Sequence, residues 1–105
     1  MRFKRDLLIA LGEGKEVEGL ELVEVLTQEL TPDEGPVLQF TEIAFKFDGE
    51  TYCYLRTEGE DWEKHFARLG FESDVKQKEV TAWESERGSN GWMLSSRYID
   101  EEAVR

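Results

Sequence analysis

Hydrophobic positions along this chain repeat with two different periods, and the switches between them lay out its elements. Phe3, Leu7, Ala10 and Leu11 stand at i, i+4, i+7 and i+8, the spacing of one helix face. Gly12 or Gly14 ends that helix by taking a left-handed backbone conformation. From Val17 to Leu30 two periods compete. Leu20, Leu22 and Leu26 fall on one side of a strand, with Glu21, Val23, Val25 and Thr27 on the other. Leu20, Val23, Thr27 and Leu30 also suit a helix, but the β-branched content and Gly19 favour the strand. Residues 31–36 then hold both prolines and form a polar breaker.

Asp48-Gly49 sits between two alternating runs, the signature of a hairpin closed by a two-residue type I′ turn. That turn pairs Phe47 with Glu50, Phe45 with Tyr52 and Ile43 with Tyr54. The aromatic face is the expected core side, because it buries far more apolar area than the face of Ala44 and Cys53. A second helix starts at Asp61 as N-cap, runs through Trp62, Phe66 and Leu69, and stops at Gly70. Phe71 is placed to touch Phe66 in a Schellman motif. Residues 75–87 and 92–99 read as another hairpin around Gly88-Ser89-Asn90-Gly91, with Trp83, Leu94 and Tyr98 on one face. A two-residue Asn90-Gly91 turn and a four-residue loop both give that face, and the two-residue version also sets Glu84 opposite Arg97. The tail from Asp100 is expected to fray.

The expected fold class is α+β: one domain over 1–105, an antiparallel sheet of about five strands with two helices, in the order α-β-β-β-α-β-β. Its first five elements run in the order of a double-stranded-RNA-binding domain. Such a domain needs a basic surface for phosphates, and this chain has the opposite charge.

That charge is unevenly placed. The net is −11, and residues 13–61 alone hold fourteen carboxylates against three cations. Residues 1–12 are net positive, and Arg2, Lys4 and Arg5 stand where the first helix dipole disfavours them. Contact with the acidic segment is expected to offset that cost. An acidic field repels nucleic acid and anionic membranes and attracts basic proteins. A 39% apolar content with 11% aromatics is too high for a disordered acidic chain. One cysteine fits a reducing compartment, no apolar run is long enough to span a membrane, and the expected location is cytoplasmic.

Candidate chemistry is sparse. Cys53 and His65 are single occurrences, read as a packed thiol and a boundary residue. Two such residues do not make a zinc site. Glu58, Glu60, Asp61 and Glu63 read as capping chemistry rather than a calcium site, and no cofactor is implied. Trp83, Trp92 and Tyr98 with Arg87 and Arg97 form a weak candidate for a stacking platform.

The expected function is therefore a small, non-enzymatic, acidic protein-binding domain with a basic protein partner. Its sharpest form is an inhibitor of a nucleic-acid-binding protein, of the immunity or phage counter-defence type. The expected partner-binding residues are Glu21, Glu24, Glu29, Asp33, Glu34, Glu58, Glu60 and Asp61, with Glu42 and Glu50 adding to a surface that imitates a phosphate backbone. The alternatives are a ligand-binding module with a pocket near His65, Trp62 and Trp83, and a subunit that self-associates through a sheet edge such as 37–47.

Overall fold

A computed structural model describes residues 1–94 of the 105-residue chain. The fold is α+β. Its elements are β1 (Arg2–Lys4), α1 (Arg5–Gly12), β2 (Glu21–Leu30), β3 (Leu38–Phe47), β4 (Glu50–Arg56), α2 (Glu60–Leu69), β5 (Glu79–Thr81), β6 (Trp83–Gly88) and β7 (Gly91–Leu94). Five strands form an antiparallel sheet in the order β2-β3-β4-β6-β7, and β1 pairs with β5 in a separate two-stranded sheet. The expected order is present, with two short strands added.

The β3–β4 hairpin has the anticipated register: Phe47 faces Glu50, Phe45 faces Tyr52 and Ile43 faces Tyr54. Asp48 and Gly49 both have positive φ, 51° and 81°, as a type I′ turn requires. Ile43, Phe45 and Tyr54 are buried under Leu8 and Leu11 of α1, so the aromatic face is the core side. Gly12 lies so close to Ile43 that an added Cβ would sit 2.6 Å from its Cδ1. Helix and sheet therefore touch backbone to side chain at this point.

The N-terminal reading needs correction. Residues 2–4 extend along β5 instead of joining the helix, and Phe3 faces Val80. Its ring packs edge-on against Phe45, Phe47 and Tyr52, a better burial than one more helix position offers. Within α1 the buried face is then Arg5, Leu8 and Leu11, and Leu7 is exposed. In α2 the N-cap is Gly59, with φ 118°, and Asp61 lies in the first turn. The C-terminus is a Schellman motif as expected: Phe71 N–H donates to Phe66 O and Gly70 N–H to Ala67 O. Trp62 is buried, whereas Leu69 and Phe71 are exposed, so only the first turns of α2 meet the core.

Residues 17–30 include a strand, but with a break in its alternation. The β2–β3 register slips between Leu22, opposite Phe45, and Glu24, opposite Ala44. Val23 is the extra residue of a β-bulge. Leu22 therefore lies on the α1 face, while Glu24, Leu26 and Gln28 lie on the other, so Leu22 and Leu26 do not share a side as the simple period of two expects.

The long strand expected over 75–87 is divided into β5 and β6 at Ala82, because its first part pairs with β1. Arg87 faces Trp92, which is the register of the four-residue loop over 88–91 and not of an Asn90-Gly91 turn; Gly88 and Gly91 also face each other, leaving Ser89-Asn90 at the tip. Leu94 is opposite Ser85; Arg97, Tyr98 and the tail lie outside the described residues.

Candidate functional site

The antiparallel path of β2, β3 and β4 sorts the acidic segment into two ends of the sheet. At one end the β2–β3 loop meets the turn into α2. Trp62 Nε1 donates to Gln39 O at 2.7 Å, and residues 37–39 and 58–62 line one shallow depression. Gly35 rests against the guanidinium of Arg68. This end gathers Glu29, Asp33, Glu34, Glu60, Asp61 and Glu63, all exposed. Two apolar side chains, Leu30 (40% exposed) and Val37 (50% exposed), stand among them. Glu21 lies at the opposite end, facing Lys46, near the exposed Asp48 and Glu50. Ten strand residues separate the two ends by about 30 Å. That is several Debye lengths at physiological salt, roughly 8 Å each, so the ends act as separate patches. Among the described residues the acidic segment forms two patches rather than the continuous face expected from the chain.

Several of the expected partner-binding carboxylates are occupied within the fold. Glu24 Oε1 accepts from Arg87 Nε at 2.7 Å and from Trp92 Nε1 at 3.0 Å. Glu58 pairs with both Arg5 and Arg56. Bonds from Arg56 and then Arg5 hold its carboxyl below the usual carboxylate range, although burial works the other way. Arg5, buried at the start of α1, titrates above its ordinary value. Burial opposes that shift and is outweighed by Glu58 and Tyr54. The unfavourable cation at the helix N-terminus is thus compensated by the acidic segment, as the sequence suggests. Glu60 pairs with Lys64 one turn on, an exposed pair worth little. Among the described residues Glu21, Glu29, Asp33, Glu34 and Asp61 have no ion-pair partner.

Glu42 departs furthest from the sequence reading. It is 5% exposed, on the sheet face away from α1. The β6–β7 hairpin curls back over that face, and Glu42 Oε2 accepts the backbone N–H of Trp92 at 2.8 Å. Gln28 Nε2 donates to Asn90 O at 2.7 Å, closing the curl against β2. Glu42 is a structural anchor rather than part of an acidic surface. Beside it, Cys53 is buried, and burial together with the Glu42 charge pushes its thiol up to about 12. A packed, unreactive thiol is the reading both sequence and geometry support.

Trp83 and Trp62 do share a groove, of about 560 Å³, with Phe40, Leu55 and Phe66. It opens where β4 parts from β6, since these strands pair only at Tyr52–Glu84 and Cys53–Trp83. Its polar end is Tyr54, whose hydroxyl donates to Asp74 Oδ2 at 3.0 Å. Burial, then the Asp74 charge, raise that phenol to about 12, so it stays a proton donor. His65 is outside the groove and packs its ring edge-on against Trp62. Arg87 and Trp92 are engaged with Glu24 and so do not form an open stacking platform.

Among the described residues no group of three or more His, Cys, Asp or Glu could hold a metal ion, and no helix is long and apolar enough to cross a membrane. Comparison with protein-family models, curated proteins and solved structures finds no match to the chain.

Proposed function

We propose that the protein is a binding domain whose acidic end, built from residues 29–37 and 58–63, engages a basic protein. One observation carries this reading: two acidic segments distant in sequence meet at a depression that contains the exposed Val37, with the exposed Leu30 on β2 paired to Leu38 of its lining. Apolar centre and charged rim are the anatomy of a protein interface, and the rim charge steers encounter and fixes orientation. Inhibition of a nucleic-acid-binding protein is the sharpest form of the proposal, because such a partner already presents a surface made for anions.

Affinity capture from the native host, eluted with a salt gradient, tests it. A basic protein is expected on the parent and absent from the Glu29→Lys, Asp33→Lys, Glu34→Lys triple variant. For that pair k_on is expected to fall by at least about tenfold between low and physiological ionic strength. Binding that ignores both salt and charge reversal would overturn the proposal.

A second reading is favoured by the groove between Trp62 and Trp83, whose volume lies within the range of about 300–1,000 Å³ typical of ligand pockets. A thermal-shift screen of metabolites tests it, since a ligand of the native state raises Tm by mass action. A flat response removes this alternative.

A further inference from the structure

The strand proposed by the sequence as a self-association edge is not an edge. β3, which covers the 38–47 part of that stretch, lies between β2 and β4. Among the described residues the open long edge is β2. Over ten residues its partner among them is β3 on one side, so every second residue directs its N–H and C=O away from the sheet.

Proteins commonly blunt such edges with lysine, proline, short length or bulges. β2 has no lysine and no proline, and it is twice the usual strand length of about five residues. Its one irregularity, the bulge at Val23, comes near the start and leaves residues 24–30 in unbroken register with β3. Side chains along the strand are accessible as well. Val23 is 43% exposed and Val25 is 39% exposed, with Val25 on the α1 face beside Thr27. Glu24 and Gln28 leave on the opposite face, where they are held by the β6–β7 hairpin. An incoming strand would thus find free backbone groups and an apolar neighbour on one side.

Charge selects the occupant. Glu21 and Glu29 are exposed on β2, and the strand runs directly into Asp33 and Glu34. A second copy would bring together two chains that each carry a net charge of −11, with carboxylates along both edges. An extended segment carrying lysine or arginine between apolar residues instead meets the exposed carboxylates of Glu21 and Glu29 and the exposed Val23 and Val25. The acidic residues therefore repel the chain's own kind while leaving the backbone template open to a basic strand.

From this we infer that the outer edge of β2 is a strand-addition site for an extended basic segment of the partner protein. The inference rests on the basic-partner reading above and assigns that partner a conformation and a docking line.

The test separates backbone pairing from charge. The probe is a synthetic ten-residue peptide of alternating lysine and valine, compared with the same peptide N-methylated at every backbone nitrogen. Methylation keeps the charge and abolishes strand pairing. With the full chain, the parent peptide is expected to bind at least tenfold more tightly than the methylated one. Outward-facing amides within residues 24–28 are expected to gain at least tenfold in hydrogen-exchange protection.

Equal binding of both peptides overturns the edge site while leaving the acidic-end reading intact. Edge binding that survives the Glu29, Asp33, Glu34 triple reversal keeps the edge site and overturns that reading. Protection of the same amides before any peptide is added overturns the inference, because the edge is then already covered. So does absence of binding by either peptide, or a dimer in light scattering that dissociates on dilution.

Discussion

Glu42 on β3 accepts the backbone N–H of Trp92 on β7 at 2.8 Å, a bond that ties together residues fifty positions apart. It explains why a carboxylate is buried on a sheet face that the alternation of β3 assigns to solvent. The hairpin arrives as a lid, and its peptide N–H is the donor the carboxylate needs once water is excluded.

Glu42→Ala is therefore expected to cost about 2 kcal/mol in urea unfolding, the typical worth of a bond to a charged acceptor. Glu42→Gln keeps a carbonyl acceptor and is expected to lose less than half as much. Gly91→Ala strikes the same joint, since its Cβ would stand 2.6 Å from Gln28 Nε2 and its φ is +131°. A cost of about 1–2 kcal/mol is expected there. Stability unchanged in Glu42→Ala would show that the hairpin is held by something else.

The Arg5–Glu58 pair sets an acid dependence. Glu58 titrates below its ordinary value of 4.5 in the folded state. Its contribution is complete above that value and fades as pH falls through the lower folded one. Because the Glu58 side chain is 36% exposed, solvent screening limits the effect to about 1 kcal/mol. Glu58→Gln is expected to be destabilised by that amount at neutral pH and to approach the parent as pH falls through the folded-state value of Glu58. A gap that persists undiminished in acid would assign the loss to packing instead.

Cys53 combines burial with a thiol raised to about 12. Alkylation of the native protein by iodoacetamide is expected to be more than about a hundredfold slower than in urea, because almost no thiolate is available. Equal rates would mean that β4 opens readily from β3.

Trp62 Nε1 links α2 to Gln39 O at 2.7 Å. Trp62→Phe preserves most of the ring volume and removes this donor, so a loss of about 1 kcal/mol is expected in chemical denaturation. The acidic end is expected to loosen with it, seen as faster hydrogen exchange in residues 58–62. Exchange left unchanged would indicate that the two acidic segments are joined without this bond.

Features written in local backbone chemistry were legible from the sequence. Asp48-Gly49 closes its turn and Gly70 stops α2, because the positive φ each position needs is favoured by the residue itself, whatever packs around it. What depends on distant partners was not. Residues 2–4 become a strand only because residues 79–81 lie alongside. Glu42 reads as surface until Trp92 arrives. The acidic run reads as one zone, since composition does not record that an antiparallel strand carries Glu21 and Glu29 to opposite ends. The exposed Leu69 and Phe71 show the converse: an apolar residue at the right helical spacing still needs a surface to meet.

The bulge in β2 makes the strand tolerant of a shortening at Val23. Leu22 and Glu24 already face neighbouring residues of β3, so deleting Val23 would splice the ladder into a regular one with every later pairing preserved. Excising Thr27 instead would turn residues 28–30 inside out, sending Gln28 away from Asn90. The gene can lose one codon here without disturbing the sheet, and that codon encodes the single residue of β2 that has no counterpart on β3.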